Sequence, residues 1–405
     1  MDNSNTHPQS SGSSNRGKWI VGIIIVVLII LAAIFHNKQE TGEYSTNTLG
    51  ISSKSAANTY KIGVLLPLTG DAASYGEPAK NIYQIATEEI NQTGGVNGKK
   101  IELIIEDSKC NGQDSANATQ KLINVDKVQI IVGGFCSSES LAAEPIAESN
   151  KVALFSAGSS SPKLTGISHY FFRNYPSDAS QGAVLADTTY NKKGFKKIAM
   201  MQEQTDYAIG INKAFSDKFQ SLGGTIIQEQ FATADTDFRS QLTKLKAQNS
   251  DALFLDTQTS ASAKRVLKQI QDLGWKPNFV FSDVVLTDPT VLSQFKNLLE
   301  GALAAAVGVD LNNLKFAHLL AAYKAKFNTD LPFQTYAQTE YDSIYMVKDA
   351  ISQVGYNGQK IADWSRTVKN WQGATGSITI SANGDPLSAY SAMMIKDNKL
   401  VPFAK

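Results

Sequence analysis

The sequence predicts an α/β protein made of two doubly wound lobes preceded by one transmembrane helix. Three observations predict it. The chain has 405 residues, whereas single hydrophobic cores stop growing near ~250–300 residues. A seventeen-residue run without a charge, Trp19–Phe35, lies near the start. From Tyr60 onward, short apolar runs alternate with longer amphipathic stretches, the order that produces parallel sheets covered by helices.

Residues 1–18 are rich in Ser and Asn and read as a disordered tail. The run WIVGIIIVVLIILAAIF over 19–35 is long enough to span a bilayer, and Trp19 suits the membrane interface. A cleaved signal peptide is the rival reading, but its apolar region is usually ~7–15 residues and ends at a small-x-small site. Here Ala32 and Ala33 are followed by bulky Ile34 and Phe35, and no cysteine follows for lipid attachment. Arg16 and Lys18 precede the run, which favours a cytoplasmic N-terminus and an extracytoplasmic body. Residues 36–58 are small and polar, a linker.

Strands are predicted at 61–68, 101–107, 128–134, 152–158, 196–202, 225–231, 252–257, 278–283 and 303–309. Most are near-continuous in apolar residues, as strands buried on both faces are. Helices are predicted at 78–92, 114–125, 138–149, 179–192, 206–222, 236–248, 259–273 and 288–299, the first on the spacing of Ile82, Ile85, Ala86 and Ile90. The segment PSDASQ, 176–181, interrupts this order midway. Past 310 the pattern turns helical, at 314–327, 337–354 and 361–371. A hairpin is then predicted, with 377–380 and 390–395 flanking Asn383-Gly384, a strong turn signal.

A net charge of +1 with no basic runs in the body argues against nucleic acid as a partner. The chain's two cysteines, Cys110 and Cys136, each follow a predicted strand end. Neighbouring parallel strands would bring their loops together, and an oxidising compartment would join them as a disulfide. Zinc is disfavoured because His7, His36, His169 and His318 all lie away from the pair. No metal or cofactor is implied.

GGFCSSES, 133–140, ends a strand and opens a helix, where free N–H groups hold carboxylates and Ser137 or Ser138 adds a hydroxyl. Plain helix capping is the alternative. SAGSSSPKL, 156–164, repeats the theme with Ser159, Ser160 and Ser161. Hydrolase chemistry is not supported, since no G-x-S-x-G elbow is present. The segment 94–100, GGVNGKK, has the wrong glycine spacing for a phosphate loop. The protein is therefore read as a binder and not an enzyme.

Several stretches together resemble the periplasmic-binding-protein family of the leucine/isoleucine/valine type, of type I fold: IGVLLPLTGDAASYGEPAKN (62–81), EEINQTGGVNGKKIELIIEDSKC (88–110), VGGFCSSES (132–140), FSAGSSSPKLT (155–165), FFRNYPSDASQG (171–182) and DTDFRSQLTKLKAQNSDALF (235–254). The resemblance implies two Rossmann-like lobes joined by three hinge crossovers: an N-terminal lobe of 59–177 plus 309–380 and a C-terminal lobe of 178–308 plus 381–405. It implies a disulfide between the two cysteines, as amino-acid-binding members have. It implies that Ser137 and Ser160 hold a ligand carboxylate together with backbone N–H groups, Gly158 among them. Tyr75 and Tyr207 would wall the pocket, and Asp283 would meet an α-ammonium, with capping as its alternative. Gln258 or Thr259 falls where other members place an aromatic residue, a departure that leaves side-chain specificity open. Asp178 lies at the first crossover as a hinge or cleft residue. All of these follow predicted strand ends or crossovers, where open α/β sheets bind ligands.

The function so implied is capture of a small polar solute, an amino acid of branched-chain type, for an ABC importer whose permease and ATPase are the partners. The alternatives are a ligand-sensing receptor of the same fold, or a binder of short amides, urea or aromatic acids. The expected location is the cell membrane, single-pass, with the binding domain outside.

Overall fold

The computed structural model describes residues 59–403. The tail, the predicted anchor Trp19–Phe35 and the linker 36–58 all lie outside the described residues. Among the described residues no helix is long and apolar enough to cross a membrane.

Two separate sheets organise the chain. In the first, β1 (Thr59–Leu66), β2 (Lys100–Asp107), β3 (Ile130–Gly133), β4 (Ala153–Ser156) and β5 (Phe171–Arg173) run parallel in the order β2-β1-β3-β4-β5. The apolar runs explain this placement. Ile62, Val64, Ile130, Val132, Ala153 and Phe155 enter one core with the helices Ala73–Gln92, Leu314–Phe327 and Gln334–Val354. Leu65, Ile131 and Leu154 point to the opposite face, against the helices Gly112–Asn124 and Ser137–Ser149. Strands apolar on both faces are what such a two-sided core demands.

The second sheet begins with the parallel strands β6 (Lys197–Glu203), β7 (Thr225–Phe231), β8 (Ala252–Asp256), β9 (Phe279–Phe281) and β10 (Leu303–Ala306). Phe254 faces the helices Asp178–Asp187 and Asp206–Ser221, while Leu253 and Leu255 face the helices Arg239–Lys246 and Ser260–Asp272. Thr205 and Thr259 cap two of these helices through their hydroxyls.

The C-terminal region departs from the sequence reading. The segments β11 (Trp371–Gly373) and β12 (Gly376–Ile378) pair with each other as a ribbon on the first lobe. The strands β13 (Ser391–Lys396) and β14 (Lys399–Pro402) extend the second sheet, giving the order β14-β13-β10-β9-β8-β6-β7. The predicted hairpin across Asn383-Gly384 is therefore wrong as a strand pair. The turn forms locally, with the Gly384 N–H on the Ser381 carbonyl at 3.0 Å, but its two flanks belong to different sheets. The free edge of β10 offers a longer ladder than the short β12 does. The chain passes between sheets three times, at 174–177, 307–313 and 379–390.

Other differences are local. The helix predicted at 288–299 breaks at Phe295 into Pro289–Gln294 and Lys296–Leu299. The one predicted at 361–371 spans Gly358–Ser365.

Candidate functional site

The C-terminal ends of both sheets face each other, and the side chains between them are buried. Cys110 and Cys136 are joined by a disulfide with Cα atoms 5.3 Å apart. Cys136 caps the helix Ser137–Ser149. Glu139, also buried, accepts the N–H of Cys110 and of Cys136, each at 2.8 Å. Burial pushes this carboxyl up to about 7. Disulfide and carboxylate together fix the helix end that presents Ser137.

The Ser137 hydroxyl accepts the Ser161 N–H at 3.1 Å, which leaves its own proton free to donate. Ser138 instead turns to the Cys110 carbonyl at 3.2 Å. Ser159 is tied to the loop, bonding to Ser140 at 2.8 Å and to the Cys136 carbonyl at 3.0 Å. Arg173, fully buried on β5, organises the same loop. It donates to the Ser159 and Ser161 carbonyls at 3.0 and 3.1 Å and pairs with Asp385 at 2.7 Å. Gly158 packs so closely on Phe135 that a Cβ there would lie 2.8 Å from the ring. Its N–H meets the Ser156 hydroxyl at 3.3 Å.

Opposite this lies Asp283, buried at the end of β9. Its carboxylate accepts hydrogen bonds from Tyr207 at 2.9 Å, from Tyr336 at 3.1 Å, and from Tyr175. Burial, reinforced by the Asp283 charge, holds all three phenols well above the ordinary tyrosine value, so they stay donors. Asp178, also buried, donates its N–H to the Ser160 carbonyl at 2.8 Å and accepts from Tyr390 at 3.2 Å. Burial and the charge of Asp283 push Asp178 up to about 8, against the opposing pull of the Ser160 hydroxyl.

The lobes touch directly. The Tyr75 hydroxyl lies 2.5 Å from the Ser260 hydroxyl and accepts the Ser260 N–H at 3.1 Å. Its ring sits 4.4 Å from Phe333 and 5.4 Å from Phe135. At the rim, Asp71 pairs with Arg265 and Lys163 with Asp206, at 2.7 and 2.8 Å. Gly210 abuts Pro162 and Ser161. A cavity of about 590 Å³ opens beside the Tyr75–Ser260 contact, lined by Asp71, Ser74, Lys264 and Phe333 among others. Among the described residues, no group of three His, Cys, Asp or Glu is placed to hold a metal ion.

The structure thus gathers Tyr75, Ser137, Gly158, Ser160, Asp178, Tyr207 and Asp283 at facing sheet edges. Gln258 stands apart, half-buried, with its N–H on Glu203 at 2.8 Å. Thr259 serves as a helix cap. Sequence reasoning missed Ser260, which meets Tyr75 in their place, and also Tyr175, Tyr336 and Arg173. The stretch FFRNYPSDASQG contained two of these without marking them as site residues.

A family model described as "periplasmic binding protein" matches residues 59–399. Two curated relatives come from Pseudomonas aeruginosa. An "amino acid binding protein" is 29% identical over 60% of this chain, which spans 65% of that protein's length. A leucine-, isoleucine-, valine-, threonine- and alanine-binding protein is 26% identical over 82% of this chain and 88% of its own. Among solved structures, the branched-chain amino acid binding protein LivJ of Streptococcus pneumoniae, in complex with isoleucine, superposes with a TM-score of 0.76. It is 28% identical and covers 84% of this chain and 97% of its own. A solute binding protein of Rhodopseudomonas palustris, in complex with 3,4-dihydroxybenzoic acid, gives 0.74 at 25% identity, covering 85% and 96%.

Proposed function

The chain belongs to the periplasmic binding protein family, and on that premise we propose that it captures an amino acid outside the cytoplasm for an ABC importer, held to the membrane by Trp19–Phe35. The observation that carries the reading is the opposition of two chemistries across the cleft. The first lobe offers neutral donors suited to a carboxylate, the Ser137 hydroxyl at a helix N-terminus and the Ser160 hydroxyl on the loop after β4. The second offers the buried carboxylate of Asp283, held between three phenols. A zwitterion satisfies both at once and bridges the lobes. Such bridging favours closure, because a ligand shifts an equilibrium only by its differential affinity for the two states. The names of the relatives support amino acids as the ligand class.

An aromatic acid is the second reading. The rings of Tyr75, Phe135 and Tyr336 favour it, and so does the dihydroxybenzoate-bound neighbour. Against it, such a ligand brings no cation to Asp283. Arg173, the guanidinium that faces Asp178, is already committed to Asp385.

A thermal-shift screen of the detergent-solubilised chain against amino acids, small amides, urea and aromatic acids selects among these. Calorimetry on the best amino acid should then rank two variants. Asp283→Ala should cost on the order of 2–5 kcal/mol, because it leaves an ammonium unpaired in a desolvated cleft. Ser137→Ala should cost roughly 1.5–3 kcal/mol, one hydrogen bond to a charged group. Wild-type affinity in Asp283→Ala would remove the ammonium assignment.

A further inference from the structure

One buried acid in the second lobe has no part in the pairing just described. Asp256 ends β8, and its side chain shares a face with Ala252 and Phe254, towards the helices that begin at Asp178 and Asp206. The strand register places it beside Gln202 of β6. On its other side the pairing of Leu255 with Phe281 brings it level with Ser282. A polar row, Gln202–Asp256–Ser282, therefore crosses the sheet at its C-terminal edge, next to Asp283. That edge is where ligands of open α/β sheets bind.

Both Asp256 oxygens are buried with no partner at hydrogen-bond distance apart from the pull of the neighbouring Ser282 hydroxyl, and Ser282 Oγ is likewise buried with no other partner. Leaving buried polar atoms unpaired is costly, about 1–3 kcal/mol for each neutral group and more for a charged one. The Asp256 carboxyl and the Ser282 hydroxyl, buried next to Asp283, keep capacity for a donor from outside the chain.

We propose that Asp256 and Ser282 form a second-lobe subsite for a nitrogen on the ligand's side chain. The protein then prefers amino acids carrying a side-chain ammonium, guanidinium or amide over purely aliphatic ones. The subsite rests on the amino-acid reading of the cleft, since it lies on the Asp283 side of the ligand. Burial pushes the Asp256 carboxyl well above the ordinary carboxylate range, against the pull of the Ser282 hydroxyl and reinforced by the charges of Asp178, Asp283 and Glu203. A cationic side chain reverses that, so lysine binding releases a proton.

The test is calorimetry of the solubilised full chain with L-lysine, L-arginine, L-glutamine, L-leucine and L-isoleucine, repeated in buffers of different ionisation enthalpy. The nitrogen-bearing ligands should bind at least about tenfold more tightly than leucine, with proton release for lysine. In Asp256→Ala that preference should vanish while leucine affinity holds. The near-isosteric Asp256→Asn, which keeps the side chain's volume, should lose lysine and arginine and keep glutamine. Tight leucine or isoleucine binding with weak binding of the other three overturns the subsite and leaves the amino-acid reading intact. An equal loss for all five ligands in both variants also overturns it. A wild-type chain that binds none of the five overturns the amino-acid reading and the subsite with it.

Discussion

Gly210→Ala separates folding from closure. Gly210 lies inside the helix Asp206–Ser221 of the second lobe, against the loop of the first. A Cβ added there would lie 2.8 Å from Pro162 Cδ and 3.0 Å from Ser161 Oγ, where carbon atoms prefer about 3.5–4.0 Å. The proline ring has little freedom to retreat. Overpacking of this kind costs about 1–3 kcal/mol, and only the closed state bears it. Apparent affinity scales with the population competent to close, so the ligand selected by screening should bind about 5- to 150-fold more weakly. The helix itself gains about 0.5–1 kcal/mol from alanine. Affinity should therefore fall while the melting temperature of the unliganded protein holds or rises. Calorimetry and a thermal melt on the same preparation read both. Wild-type affinity would refute the lobe contact as part of capture, and a joint loss of affinity and stability would refute the separation.

Free-thiol labelling of the denatured, non-reduced protein should find no reactive thiol. Cys110 and Cys136 close a loop with a sequence separation of 26, so reduction should destabilise the fold by about 3 kcal/mol. Glu340 is raised to about 8 by burial alone. The native state then holds a proton that the unfolded chain releases near the ordinary carboxylate value. Its contribution therefore falls as pH rises between those two values and levels off above about 8, by about 1.4 kcal/mol per pH unit. Urea unfolding at several pH values should show Glu340→Gln gaining on wild type as pH rises, and a constant gap would contradict this. Mass spectrometry of membranes should recover peptides from residues 1–58 in the mature protein, and a mature N-terminus near residue 34–40 would instead show cleavage.

The sheet strands were legible because Ile62, Val64 and Leu65, or Leu253, Phe254 and Leu255, sit in runs apolar on both faces. Only strands covered on both sides by helices read that way. The hairpin misreading has the opposite cause. Asn383-Gly384 signals a turn, but turn chemistry does not say which sheet each flank joins. The loops carrying Ser137 and Ser160 could be placed at neighbouring strand ends from the sequence, but small hydroxyl residues there serve equally as helix caps, so their pattern alone does not assign them to a ligand. Tyr175 and Tyr336 were not, because their shared acceptor, Asp283, is 108 and 53 residues away. Arg173 hid for a related reason: a buried guanidinium is tolerable only once Asp385 and two carbonyls from the Ser159 loop surround it. Gln258 and Ser260 differ by two positions, and the cap at Thr259 decides which of them reaches the cleft.

In the proposed capture, one zwitterion bridges the Ser137–Ser160 edge and Asp283. That bridging is tested most directly by titrating the solubilised chain with the best-binding amino acid, its deaminated acid and its carboxamide. Loss of either charged group should weaken binding by at least about tenfold, the worth of a hydrogen bond to a charged partner. Equal binding of the amino acid and its deaminated acid would contradict it.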